Sequence, residues 1–416
     1  MKEERRDILC VDLKSFYASV ECVERGLDPF KTPLVVADTS RGGGSIVLAV
    51  SPYLKKRGVP SRCRVFELPK DGDLVIAKPR MRRYLEVSRD VVAVYLSFVA
   101  PEDLHVYSID EAFLDLTPYR NYYDMDARAL AARVKESILK KTEIPSSIGI
   151  GDNLLQSKLA LDLKSKQSQT GIAAMRYETI EKDLWPLRPL SGMWGIGRRM
   201  ERRLNALGMF TVGDIARFDV EKLHAHFGII GSELYHHAHG IDRAVISKGA
   251  SRMPLKSVGL GQTLFEDYTA PAVFTLFLEM ADDAAERLRF ARKEASTVHL
   301  AISYSKAFGG GFSRQMRIDP TDSPEEIFSA LMQLFRTHDE GLPVRRVTVR
   351  ASGLSDKKPF EQLSLFTREK DRETRLMRAM DYVREKYGKR SAMRLSSYFD
   401  SGTAYDRATL IGGHHG

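Results

Sequence analysis

Two acids stand side by side in an otherwise apolar hairpin pattern, and that placement restricts what the chain can fold into. His105 to Asp110 and Phe113 to Thr117 read as two short strands around Glu111 and Ala112. Adjacent carboxylates in apolar surroundings carry a desolvation cost unless something cationic offsets it. A third acid, Asp12, ends another apolar stretch, residues 8–13. Three carboxylates converging at strand ends can hold two divalent cations a few Å apart, an arrangement suited to in-line displacement at phosphorus. Mg2+ fits such work because it binds few carboxylates and keeps room for substrate phosphates. Taken alone, Asp12 is better explained as a cap or a solvated charge; the pair at 110–111 is harder to explain that way.

The rest of the chain supplies a frame for those acids. Helical stretches are expected from Ser15 to about Arg25 and over 83–98. Another is expected over 127–140, where Ala127, Leu130, Ala131, Val134 and Ile138 share one face. Ser147 to Gly151 reads as a short strand. Strands and helices thus alternate through an α+β domain of about 170 residues, within the usual domain size. From Trp185 to Arg243, glycine-punctuated helical pieces suggest a small all-helical domain, with a linker at 244–254.

Residues 255–353 read as βαββαβ, a ferredoxin-like plan. Val298, Leu300, Ile302 and Tyr304 alternate along one strand, and Ser323-Pro324 opens a helix. In the last strand Arg346, Thr348 and Arg350 fall on one face. Residues 354–416 form a tail, partly helical at 369–387, with eleven Lys or Arg and seven Asp or Glu from Thr367 onward.

Composition narrows the class. The net charge of +9 favours a polyanionic partner such as nucleic acid. No apolar run approaches the ~20 residues that span a bilayer, and Met1 to Asp7 has no apolar signal core, so a cytoplasmic, non-membrane protein is expected. Cys10, Cys22 and Cys63 are too few and too irregular for a disulfide framework or zinc site.

The segments Asp12 to Glu21, Tyr107 to Phe113 and Trp194 to Arg199 together resemble the Y-family of translesion DNA polymerases, and the UmuC branch in particular. The likeness runs over roughly residues 7–370. It implies an α+β multidomain right hand: palm at 1–19 and 83–175, short fingers at 20–82, a helix-hairpin-helix thumb at 176–243 and a little finger at 255–353. It implies template-directed, low-fidelity addition of deoxynucleoside triphosphates to a primer in DNA repair and the damage (SOS) response.

The resemblance also assigns residues. Asp12, Asp110 and Glu111, with the Leu13 carbonyl, would bind two Mg2+ ions, with Mn2+ able to substitute. Tyr17 matches the steric gate against a ribose 2′-OH, backed by Phe16. Lys55 and Lys166 match triphosphate contacts, with Lys164 the alternative to Lys166. The sequence departs from the pattern at Pro52, where relatives carry a triphosphate-binding tyrosine; Tyr53 is one place on. Lys14 replaces the second acid of the archaeal Asp-x-Asp pattern, as in the UmuC branch.

Grip on DNA is expected at two places. Gly195-Ile196-Gly197-Arg198-Arg199 would seat a phosphate on backbone N–H groups at a helix start. Lys256, Arg314, Arg317, Arg346 and Arg350 would line a little-finger face along the backbone. Gln362, Leu363, Leu365 and Phe366 belong to a peptide that looks like the one bacterial proteins insert into the sliding clamp. The remaining tail could bind DNA, contact a recombinase or accessory subunit, or fold back on the body. Two other readings compete: an inactive DNA- and clamp-binding scaffold with the same fold, and another two-metal enzyme such as a nuclease or cyclase. The complete acid set speaks against the first, the helix-hairpin-helix and clamp peptide against the second.

Overall fold

The computed structural model describes residues 5–69, 72–246, 255–357 and 368–415. They form two units, residues 1–251 with 414–416, and residues 252–413. Strands are numbered along the chain. In the first unit they are β1 (Ile8–Leu13), β2 (Leu34–Val36), β3 (Ala49–Val50), β4 (Val75–Ala77), β5 (Leu104–Val106), β6 (Glu111–Asp115), β7 (Ser146–Gly151) and β8 (Ile172–Met175).

The palm sheet runs β5-β6-β1-β7-β8. Its centre, β1, buries Ile8, Leu9, Cys10 and Val11 completely, as a strand covered on both faces must. Helix Ala127–Thr142 buries Leu130, Ala131, Val134 and Ile138 of the predicted stripe and leaves Ala127 half-buried at its start, which is capped by Asp126 accepting from the Ala129 N–H at 2.7 Å. Helix Leu154–Leu163 lies so close to β7 that a Cβ at Gly149 would come within 2.1 Å of the Ser157 carbonyl oxygen, and one at Gly151 within 2.2 Å of the Ser157 nitrogen. Glycine at those positions is therefore what brings this helix, and Lys158 on it, up against the sheet.

The fingers hold a small sheet, β3-β2-β4, with β2 and β4 parallel. Strands this short carry no alternation that the sequence could show. The boundaries also differ from the sequence reading, since helices Phe16–Val23 and Met81–Tyr95 each run across a border placed at 19/20 or 82/83.

In the second unit, β9 (Ser257–Tyr268), helix Ala270–Phe290, β10 (Lys293–Tyr304), β11 (Gly311–Thr321), helix Pro324–His338 and β12 (Val344–Asp356) follow the expected βαββαβ succession. The sheet is ordered β11-β10-β12-β9 with every pair antiparallel. Val298, Leu300, Val347 and Val349 pack inward against Phe277, Met280, Leu331 and Phe335. The tail folds back on this domain, the third of the roles its sequence left open. Arg394 reaches Asp282 and Glu325, both at 2.6 Å. Arg407 pairs with Asp283 at 2.8 Å, and Arg289 with Asp381 at 2.6 Å. Arg394 and Arg407 of the tail thus meet acids of helix Ala270–Phe290, while Arg289 near the end of that helix meets an acid of the tail.

Candidate active site

Strand register sets the acids. Asp12 lies directly across from Glu111 in the β1–β6 ladder, and the Leu13 N–H donates to the Asp110 carbonyl at 2.9 Å. The hairpin tip is fixed from outside: Ser88 Oγ donates to the Ile109 carbonyl at 2.6 Å, and Ser108 Oγ donates to Asp110 Oδ1 at 2.7 Å. Asp12, Leu13 and Asp110 open together on a cavity of about 550 Å3.

Each flanking acid carries an ammonium partner. Lys166 Nζ sits 2.7 Å from Asp12 Oδ2, and Lys158 Nζ sits 2.8 Å from Glu111 Oε1. Asp162 joins the two lysines, at 3.1 Å from Lys158 and 2.7 Å from Lys166. Lys158, Asp162 and Lys166 follow one another at helical spacing, a pattern present in the sequence but shared with any ordinary solvated helix face. Cys10 Sγ also approaches Glu111 Oε1 at 3.2 Å. Burial, with Glu111 beside it, pushes the Cys10 thiol well up, so it stays an S–H donor.

Burial raises the Asp12 carboxyl, Lys166 opposes that shift, and the nearby Asp110 and Glu111 charges add to it. Among the described residues, no three His, Cys, Asp or Glu side chains are gathered ready around one ion. Asp12 and Asp110 share the cavity, while Glu111 is held by Lys158. The donor set nevertheless fits hard divalent cations, being oxygen throughout, and the two ammonium groups mark where positive charge is required.

Ser15 adopts a left-handed backbone (φ 51, ψ 44), which turns the chain from β1 into helix Phe16–Val23. That turn brings Phe16 and Tyr17 to the cavity. Lys55 and Lys166 line it as expected; Lys164 does not, and pairs with Asp183 instead. Burial lowers the Lys55 ammonium, while Asp12 and Asp110 pull it back up. Lys56 and Arg62 also line the cavity and were not singled out from the sequence; Lys14, noted there only in place of a second acid, lines it too. Pro52 reaches it too. Tyr53 packs instead with the fingers core, and the Arg57 guanidinium lies 4.4 Å from its ring centroid.

In the thumb, Gly195 takes φ +93 and Gly197 starts helix Arg198–Ala206 without a side-chain cap. Gly195, Gly197, Arg198 and Arg199 are all exposed, and Ile196 is the buried pin between them. N–H groups at a helix start flanked by arginines are suited to binding phosphate.

The little-finger sheet leaves one face open. Register places Arg350 beside His299 and Gln315, Thr348 beside Ala301 and Ser313, and Arg317 beside Thr297 and Ser352. Arg346 lies on this face as well, and Lys256 is exposed just before β9. Arg314 does not share it. Its cross-strand partner is the buried Leu300, so it lies on the helix-facing side of edge strand β11. Arg314 and Arg317 differ by an odd number of residues, and alternation sends them to opposite faces. The clamp-like residues Gln362, Leu363, Leu365 and Phe366 lie outside the described residues.

Palm, short fingers, helix-hairpin-helix thumb and βαββαβ little finger together make a right-hand polymerase fold. The chain belongs to the impB/mucB/samB family, the UmuC-like bacterial branch of the Y-family polymerases. Residues 11–162 match the family model described as impB/mucB/samB, and residues 255–365 match its C-terminal domain. Residues 193–242 match the model described as DNA polymerase-iota, thumb domain. The chain is 43% identical to the "Putative UV-damage repair protein UvrX" of Bacillus subtilis, over 99% of this chain and 98% of that one. It is 33% identical to DNA polymerase IV 2 of the same organism, over the full length of both. A solved Y-family DNA polymerase chimera, Dbh-Dpo4(243-245)-Dbh, shares the fold with a TM-score of 0.65 and 21% identity, covering 84% of this chain and 99% of the chimera.

Proposed function

We propose that the protein extends a primer on a DNA template, adds deoxynucleotides across damaged positions with low fidelity, and does so with two divalent ions at Asp12, Asp110 and Glu111. One observation carries this reading: Asp12 and Asp110 share a cavity with Lys14, Lys55, Lys56, Arg62 and Lys166. A carboxylate pole beside a cationic pole suits a nucleoside triphosphate. The carboxylates hold Mg2+, or Mn2+ in its place, and the lysines and arginine take the phosphate charge.

Bound there, the ions supply Lewis-acid activation of the primer 3′-oxygen and charge stabilisation of the leaving pyrophosphate. The protein's own groups do the rest. Lys166 neutralises Asp12 until phosphates offer it another partner, and Lys158 orients Glu111. Phe30, Leu48, Ala49 and Pro52 line the cavity as an apolar wall, against which the nucleotide would sit with the Tyr17 ring beside its sugar. Fingers built on strands of two and three residues offer little rigid surface to press on the base pair, which fits low fidelity. The thumb seat and the open little-finger face would hold DNA through its phosphates. Gln362 to Phe366 would engage a sliding clamp. The names of the relatives support a repair polymerase.

Primer extension on undamaged and abasic templates tests this reading, with Mg2+, single nucleotides and an Asp110→Ala control. Template-dependent addition by the wild type and none by the variant supports it. Failure of the wild type even with clamp added would favour the scaffold reading.

A further inference from the structure

Behind Tyr17 lies a buried polar assembly that the proposed chemistry does not use. The Tyr84 ring stacks on the Tyr17 ring with centroids 4.4 Å apart and planes 14° from parallel. Tyr84 is fully buried and is absent from the cavity wall, so it stands on the side of Tyr17 away from the cavity. Its hydroxyl donates to Glu21 Oε1 at 2.8 Å. Glu21, also fully buried, receives both ends of the Arg80 guanidinium, at 2.9 and 3.0 Å, and a further bond from Arg25. Phe16 meets the edge of Tyr84 at 6.5 Å.

We infer that Tyr84, fixed by the Glu21–Arg80 pair, is a positioning residue for sugar selection: it is the wall that stops Tyr17 from yielding to a ribose 2′-OH. A steric gate discriminates only as far as it cannot move. A ring pressed by an extra hydroxyl will rotate or retreat by a few tenths of an ångström unless something rigid stands behind it. Stacking resists retreat, and the Tyr84 hydroxyl resists sliding of the stack. A buried carboxylate with a bidentate arginine is a stiff anchor, because moving it would leave a charge unpaired in the interior. The chain joins helix Phe16–Val23, which carries Tyr17 and Glu21, to helix Met81–Tyr95, which carries Tyr84 and begins beside Arg80.

This inference rests on reading Tyr17 as the gate, and the test separates the two. Incorporation of a ribonucleotide and its deoxynucleotide is compared as a ratio of kcat/KM for wild type, Tyr17→Ala, Tyr84→Ala, Tyr84→Phe, Glu21→Gln and the double variant Tyr17→Ala/Tyr84→Ala. Loss of the wall is expected to raise ribonucleotide use relative to deoxynucleotide by about tenfold in Tyr84→Ala, equivalent to ~1.4 kcal/mol. Tyr84→Phe and Glu21→Gln, which keep the ring, should give smaller rises. The double variant should discriminate no worse than Tyr17→Ala alone, since Tyr84 acts through Tyr17. A merely structural role would lower both nucleotides together and leave the ratio unmoved. If Tyr17→Ala relaxes sugar choice while Tyr84→Ala, Tyr84→Phe and Glu21→Gln leave it at the wild-type ratio, the positioning role is overturned. If Tyr17→Ala leaves the ratio unchanged, the gate reading itself falls and takes this inference with it. Should Tyr84→Ala not fold, the two milder variants decide.

Discussion

The Lys166 ammonium lies 2.7 Å from the Asp12 carboxylate, so a residue expected to hold a triphosphate instead neutralises an expected metal ligand. The cation and the acid open on one cavity, and each is the other's partner. Asp162, 2.7 Å from Lys166 and 3.1 Å from Lys158, keeps both lysines near the acids.

A direct consequence concerns metal affinity. Lys166→Ala removes a competitor for Asp12, so Mn2+ should bind several-fold more tightly in the absence of nucleotide, as titration calorimetry can measure. The same variant should lose about 10- to 100-fold in kcat/KM for the incoming nucleotide, ~1.4–2.7 kcal/mol, because a phosphate contact is gone. Opposite signs in the two assays are the signature of a shared lysine.

Acid stability follows from Glu21. Burial alone would raise its pKa, but hydrogen bonds from Arg80, Arg25 and Tyr84 outweigh burial and hold it below the ordinary glutamate value of 4.5. The unfolded chain therefore binds the proton more readily, and the stabilisation is present above 4.5 and lost as pH falls through the lower folded value. Glu21→Gln should flatten the acid limb of a Tm-against-pH curve below that point. An unchanged limb would show that the pair contributes nothing to the acid transition.

Little-finger arginines should separate by face. Arg350→Ala and Arg317→Ala, on the face proposed to meet DNA, should each reduce the salt slope of primer-template binding by ~1. Arg314→Ala, on the opposite side of β11, should leave the slope at the wild-type value. Fluorescence anisotropy across a salt series reads both.

The tail is expected to be part of the domain it covers. Arg394→Ala leaves Asp282, which is 9% exposed, without its bidentate partner. Breaking such a pair should cost about 2–3 kcal/mol, somewhat below the ~3–5 of a fully buried one. Urea denaturation should show that loss.

How much of this was legible depended on whether the signal was local. Asp110 and Glu111 stood out because two acids interrupt an apolar hairpin, and the βαββαβ unit because its strands are long enough to alternate. The fingers strands, two and three residues long, carry no period to detect. Arg314 was misplaced although parity alone separates it from Arg317. The Tyr84–Glu21 bond spans 63 residues and the Arg80–Glu21 bond 59, and nothing local marks either pair. Lys158 and Asp162 had the right helical spacing, but only the close approach of their helix to β7, permitted by Gly149 and Gly151, turns that spacing toward the acids. The tail's charges were countable, while their acidic partners on helix Ala270–Phe290 were visible only in three dimensions.

The most direct test of the central claim is single-nucleotide incorporation measured against Mg2+ concentration, for wild type and for Asp12→Asn, Asp110→Asn and Glu111→Gln. Two ions at these acids predict a rate that rises more steeply than first order in Mg2+ at low concentration. Each variant should lose at least ~1,000-fold in kcat, ~4 kcal/mol, while retaining primer-template affinity. Retention of activity within tenfold of wild type by the Asp12 or Asp110 variant would contradict the account.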